Sequence, residues 1–335
     1  MKVASFFQNP SSHPIPPAPH PSIPESVAKL NAMKALVPLL LLAARAAFSA
    51  DLSGIWANTT LTPLERGVVR DFAGKLIELP PVTRLTITDS EAKPYEKALM
   101  KRFSFARGDR SEADLSGELN PEFTEIVPEL LRIGGKKRTS LIVDPADGKV
   151  PYKLSEKERE ELEKSRPKAE GLKGFTLGDR CLFTELSGPP IMPFEVNSNY
   201  QIVETPDSVM ILLELFHEVR IVRLHGTHAP ASVRSWNGDS IGHYEHGTLV
   251  VDTTNFNGKW RRSGEHLHVV ERFTRIDSKT ILYRATQEDP TVYTRPWTIE
   301  YLFHATKGPI YEYGCHEGNY ALPTMLSGRQ SAVQH

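Results

Sequence analysis

Several groups of residues in this 335-residue chain carry side chains that could do chemistry. In YGCHEGNY, a thiol, an imidazole and a carboxylate follow one another as Cys315-His316-Glu317. A thiol beside an imidazole is the material of a nucleophile, and either group can ligate a metal. Adjacent residues on an extended chain point to opposite faces, however, which weakens a Cys–His couple. The only other cysteine is Cys181, too remote in sequence for a C-x-x-C metal motif.

Nine of the twelve histidines fall between His217 and His316, so metal chemistry has to be weighed. His266 and His268, two apart in HLHVVER, would share a strand face, but Glu271 has the wrong spacing from His268 to complete a cupin-like set. His225/His228 and His243/His246 have i, i+3 spacing, useful on a helix but placed here in turns. The expectation is surface and turn histidines, with no metal and no cofactor.

Carboxylates give a sharper clue. In Leu267–Arg275, Leu267, Val269, Glu271 and Phe273 make the more apolar face, so Glu271 turns inward with it. A buried carboxylate must be paired, hydrogen-bonded or protonated. An ion pair with Arg284 of the next strand is one outcome, and a carboxyl with raised pKa available for acid/base work is the other. Asp252 fits either facing of its strand. Glu300 and His304 sit opposite Trp297, Ile299, Tyr301 and Phe303 and are expected outside. Catalytic candidates are therefore Glu271, His268, His316 and Glu317.

These residues need elements to position them. Thr, Val, Ile and Tyr crowd the second half of the chain, in runs bounded by Gly, Pro, Asn and Asp. YQIVE and SVMILLEL flank the turn Thr205-Pro206-Asp207. EVRIVRL, GTLVVDTTNF, LHVVERFTRI, TILYRATQE, WTIEYLFHA and IYEYGC follow. Short connections predict an antiparallel meander that closes or stacks to hide its edges, a barrel or deep sandwich. DLSGIW adds a strand whose Gly-x-Trp opening has a lipocalin-like flavour. Residues 88–170 read as a helical insertion: TDSEAKPYEKALMKRF with Thr88 or Ser90 as cap, a short buried strand in RTSLIVDPADGKVPY, and a helix from a Ser155/Glu158 capping box.

The front of the chain addresses compartment. Residues 1–32 are Pro- and Ser-rich and read as a disordered upstream extension, with Met33 as the initiator. Met33-Lys34, an apolar run of about ten residues and small residues before Asp51 make residues 33–50 a signal peptide. Cleavage after Ser49 puts Ala47 at the minus-three position. The single domain is then 51–330, followed by a tail, 331–335, in a secreted or periplasmic protein. In an oxidising compartment Cys181 and Cys315 pair, which stabilises by about 4–5 kcal/mol in the chain-entropy picture. A net charge of −1 without a basic stripe excludes nucleic acid as a natural partner, and no stable membrane insertion is expected after cleavage.

GDSIGHYEHGTLVVDTTNF, LHVVERFTRID, QEDPTVYTRPWT and YGCHEGNY, with RTSLIVDPADGKVP upstream, resemble a family of exported bacterial proteins of uncharacterised function. The resemblance spans most of residues 51–330 and implies export and a mainly β fold, without an activity. Where this chain has Tyr244-Glu245-His246-Gly247, the family more often has Trp-Glu-Gly-Asp.

The first expectation is a small-molecule-binding barrel. Its interior is lined by Tyr283, Trp297, Tyr301 and Phe303 below a rim of His316, Glu317 and Asn319, suited to a partly apolar or cyclic ligand. A cofactor-free hydrolase, lyase or isomerase on the same scaffold is the second, and a cell-envelope interaction module the third. No G-x-S-x-G, H-E-x-x-H or phosphate-cradling loop occurs.

Overall fold

A computed structural model of the chain describes residues 51–70, 75–102, 125, 127–165, 171–184, 188–258, 263–320 and 322–327. The expected signal peptide, the upstream extension and the tail lie outside the described residues. Strands dominate, because period-two runs of β-branched and aromatic residues recur with turn residues between them. Nine strands close into a barrel: β1 (Gly54–Ala57), β6 (Asn199–Glu204), β7 (Ser208–Leu213), β8 (Val219–Arg223), β9 (Asp239–Glu245), β10 (Thr248–Thr254), β11 (His268–Asp277), β12 (Thr280–Glu288) and β13 (Trp297–Ala305). β1 completes the circle by pairing with both β6 and β13.

The insertion is less helical than expected. It holds α1 (Asp89–Leu99) and α2 (Glu156–Ser165), but also a small sheet of β2 (Thr86–Ile87), β3 (Arg132–Ile133) and β4 (Lys136–Arg138), and β5 (Ile142–Asp144), which joins β13. Of the two cap candidates of α1, Thr88 takes the position and forms a capping box with Glu91, and the expected Ser155–Glu158 box forms as well.

The barrel is mixed, not purely antiparallel. β8 and β9 run parallel, through Val222↔Ser240 and Arg223↔Ile241. The cause is the long link 224–238 between them, which carries the chain back before the next strand starts, whereas hairpin-length links force reversal. Gly242 permits close approach there, since a Cβ on it would meet Val222 Cγ1 at 2.7 Å. Two further expectations are corrected. Residues 310–314 are irregular and lead into a single turn, α3 (Cys315–Gly318), not a last strand. Glu300 is not exposed: its side chain is 12% accessible, because Arg138 of the insertion folds over this outer face and donates to it at 2.9 Å.

The barrel interior is filled. Phe273, Tyr283, Tyr301 and Phe303 are fully buried and stand 4.8–6.4 Å apart between ring centres. A non-regular segment enters between them: Ile191 donates its N–H to Tyr283 Oη at 2.8 Å and accepts from Tyr301 Oη at 2.9 Å. Two phenols thus satisfy the peptide groups of a buried loop that has no strand partner. Pro189 and Pro190, just before it, bring no N–H to satisfy. Trp56, whose Nε1 donates to Leu52 O at 2.8 Å, belongs to the same core.

Candidate functional site

Glu271 turns inward on β11, as the period predicts, and has no accessible surface. Its partner is Arg220 of β8, not Arg284, which stands opposite Arg272 on the outer face. Arg220 Nη1 donates to Oε1 at 3.1 Å, Nη2 pairs with Oε2, and Nε donates to Ser240 Oγ at 3.2 Å. Tyr283 Oη donates to Glu271 Oε1 at 2.7 Å. Burial and the Glu271 carboxylate push the Tyr283 hydroxyl well above its ordinary range. A bidentate Arg–carboxylate pair with a further phenol donor meets the requirements of a buried ion.

A second set of titratable groups comes together on the outer face of the barrel, across four strands. Asp239 (β9) accepts from His228 Nδ1 at 3.0 Å, and His228 Nε2 lies 2.9 Å from Asp252 Oδ1 (β10). Asp252 Oδ2 lies 2.9 Å from His268 Nε2 (β11), whose Nδ1 lies 3.0 Å from Glu288 Oε1 (β12). Carboxylate and imidazole alternate through five residues. Register explains the assembly. His268 and Glu288 are direct cross-strand partners, while Asp252 is opposite Val270 and so diagonal to His268. His228 comes from the long β8–β9 link, held by the Ala229 N–H donating to Asp239 at 2.8 Å and Asn255 Nδ2 donating to Ala229 O at 2.9 Å. Arg223 Nη2 reaches both oxygens of Asp239, at 2.9 Å each.

The electrostatics follow. Asp252, and then Glu288, raise the His268 imidazole to about 9, against the effect of its burial. It is therefore a cation at neutral pH. The same His268 contact holds Asp252 below its usual range. At Asp239 burial pulls upward, but the Ala229 amide, His228 and Arg223 outweigh it and the group is lowered.

The Glu288 end opens into a groove of about 420 Å³, whose walls include His266, His268, Glu288, Tyr293, Thr294 and Arg295. Asp289 beneath it is structural: its carboxylate accepts from the N–H groups of Gly264 at 2.6 Å and Thr291 at 2.9 Å, the work of a turn residue. Arg295 is held by both oxygens of Asp144, at 2.8 and 2.7 Å. Among the described residues no three His, Cys, Asp or Glu side chains converge as a metal-binding set.

The sequence-derived candidates do not form one site. Glu271 faces inward and His268 outward from the same strand. His316 and Glu317 sit exposed in α3. Tyr283, Trp297, Tyr301 and Phe303 share the packed interior. Asn319 binds the chain rather than open space, donating from Nδ2 to Asp179 O at 2.8 Å. Cys181 and Cys315 are joined, with Cα atoms 5.7 Å apart. His266 precedes β11 and is in the groove, while His246, with Gly247, makes the β9–β10 turn at φ of 49° and 82°. His228 is read in the sequence as a turn histidine and Asp252 as a residue of either facing, and neither is joined there to Asp239 or Glu288. Alternating Asp and His at outward positions of neighbouring strands was the only sequence signal, and it becomes readable once register is known.

Neither protein-family models, nor curated proteins, nor solved structures give a match to this chain. Among the described residues no helix is long and apolar enough to cross a membrane.

Proposed function

We propose that this is an exported β-barrel protein that binds a small polar or cyclic ligand, and that the ligand sits in the outer groove at Glu288 rather than inside the barrel. One observation carries the reading: an imidazolium held between two carboxylates ends at the wall of a groove of small-molecule size, whereas the interior is taken up by aromatic rings and the Ile191 segment. Glu288 and Thr294 offer acceptors and a hydroxyl, Tyr293 offers a ring, and the Arg295 guanidinium supplies charge. Such a mixed wall suits a neutral, hydroxyl-bearing ring better than a long apolar chain. Export is supported by the leader-like residues 33–50 and by the Cys181–Cys315 disulfide, since such bonds persist in oxidising compartments.

The same groove supports a second reading, cofactor-free acid/base chemistry, because the Glu288 carboxylate has one oxygen on His268 and stands half open to solvent. There Glu288 is the group that accepts a proton from the bound molecule and His268 its positioning residue.

Ligand-observed NMR with a panel of monosaccharides, cyclic polyols and hydroxylated aromatics tests both readings. Binding that Glu288→Lys abolishes and Tyr283→Phe leaves intact supports the groove. Binding lost only in Tyr283→Phe returns the ligand to the interior, and product signals that vanish in Glu288→Gln make the protein an enzyme.

A further inference from the structure

Two inward side chains at the barrel mouth carry polar groups that the fold leaves unused. Trp297 is 4% accessible, and its Nε1–H, sealed from solvent, has no acceptor. Gln287 is equally buried at 4%, and its side-chain amide makes no hydrogen bond among the described residues. Native interiors rarely leave such groups unmet, and each instance calls for a physical cause. The two residues are direct partners in the β12–β13 ladder, the last inward-facing pair at that end of the barrel. Cross-strand partners on one face have Cβ atoms about 5 Å apart, so one small group can meet both side chains.

Position ties the pair to the groove. Each is next in sequence to a residue of the groove wall, Gln287 to Glu288 and Trp297 to Pro296. Tyr293, from the connection between the two strands, lines the groove and stands edge-to-face against the indole, with ring centres 5.7 Å apart at 76°. Its hydroxyl is engaged with Ser263 Oγ at 3.2 Å. One phenol ring therefore separates the groove from the idle indole and amide.

We propose that Gln287 and Trp297 form a specificity subsite at the inner end of the groove, which takes a neutral hydroxyl of the ligand bound there; this rests on the groove reading above. An indole only donates, whereas a side-chain amide donates and accepts, so a lone pair and a hydrogen side by side satisfy the pair. A hydroxyl has both: its oxygen accepts from Trp297 Nε1 and its hydrogen goes to Gln287 Oε1. A carboxylate would enter without a cation, at a high desolvation cost. Arg295, the guanidinium of the groove, is held by Asp144, and Arg220 of the interior by Glu271. Tyr293 is the side chain that swings to admit the hydroxyl, a rotation of the kind common on binding. With Glu288 accepting from a second hydroxyl, a ring is fixed at two points.

The test is ¹⁵N spectroscopy of the tryptophan indoles in the full chain, with Trp297→Phe to assign the Trp297 cross-peak. Resorcinol, myo-inositol and resorcinol dimethyl ether are the probes; the ether keeps an acceptor but has no hydrogen for Gln287. The expected result is a downfield shift of the Trp297 N–H by resorcinol or myo-inositol, with an affinity roughly 5-fold lower in Gln287→Leu. The ether should bind more weakly than resorcinol, and Gln287→Leu should leave its affinity unchanged. Because the Gln287 amide has no hydrogen bond to lose, Gln287→Leu should melt at or above the wild-type Tm. A Tm that falls in Gln287→Leu while binding is unchanged makes the pair the seat of a structural water and overturns the proposal. Probes that bind, and that Glu288→Lys expels, without moving the Trp297 cross-peak overturn the subsite and leave the groove standing. Probes that do not bind at all overturn both. Should Gln287→Leu fail to fold, the wild-type Trp297 cross-peak decides.

Discussion

The buried pair Glu271–Arg220 gives the most exacting test of the fold, because its two halves fail differently. Arg220→Met keeps the aliphatic stem but removes the charge. Glu271, fully buried, then keeps only the Tyr283 hydroxyl among its donors. Breaking such a pair from one side costs about 3–5 kcal/mol. The remaining carboxyl can still become neutral by taking a proton, so the loss should shrink as pH falls. In the reverse variant, Glu271→Gln, Arg220 is left charged in a site where its side chain is 5% accessible, and a guanidinium cannot discharge. That variant should be no better at low pH. In a domain of this size a 3–5 kcal/mol loss corresponds to about 5–10 °C in Tm. The double variant Arg220→Met/Glu271→Gln removes both charges while keeping an acceptor for Tyr283, and should recover most of the stability lost in either single variant. Urea titrations followed by tryptophan fluorescence at about pH 5.5 and about pH 8 distinguish these cases. Single variants within 1 kcal/mol of wild type would refute the assignment of a paired, desolvated charge, as would a double variant worse than both singles.

His268, raised from 6.5 to about 9, adds stability that is complete below about pH 6.5 and is lost as pH climbs through about 9. His268→Gln should therefore be less stable than wild type in acid and neutral solution and should converge with it above that value, as read by thermal melts across pH. Reducing Cys181–Cys315, 134 residues apart, should lower the urea midpoint by the equivalent of up to about 5 kcal/mol, and an unchanged midpoint would mean that the chain around the two cysteines is ordered without their bond. Gly242→Ala should cost about 1–3 kcal/mol, since the added methyl meets Val222 at 2.7 Å and the Val250 carbonyl oxygen at 3.2 Å. A neutral Gly242→Ala would show that the β8–β9 seam has slack.

Much of the barrel is legible in the sequence. The two-residue alternation in LHVVERFTRI places Val269, Glu271 and Phe273 inside and His268, Val270 and Arg272 outside, and the chain obeys it because one face must leave water. The same logic settled WTIEYLFHA but misjudged Glu300, since alternation says which face a residue takes and not what later covers that face. Asp252 stayed ambiguous for a related reason: Val250 is apolar and buried although it points away from the barrel interior.

Sequence alone determined most of the barrel strands, the cysteine pair and the inward turn of Glu271, because burial, period and covalent partners act locally or through counts of two, but it did not foresee the small sheet of the insertion or the irregular 310–314. Tertiary structure decided the rest. Arg220 rather than Arg284 meets Glu271 because closure of the barrel, not adjacency in the meander, brings β8 across from β11. The parallel β8–β9 junction, the Ile191 segment in the interior and the Asp239–His228–Asp252–His268–Glu288 chain all depend on register between strands far apart in sequence. Pairing energies of that kind are set by which surfaces meet after closure, and no local pattern of residue types encodes them.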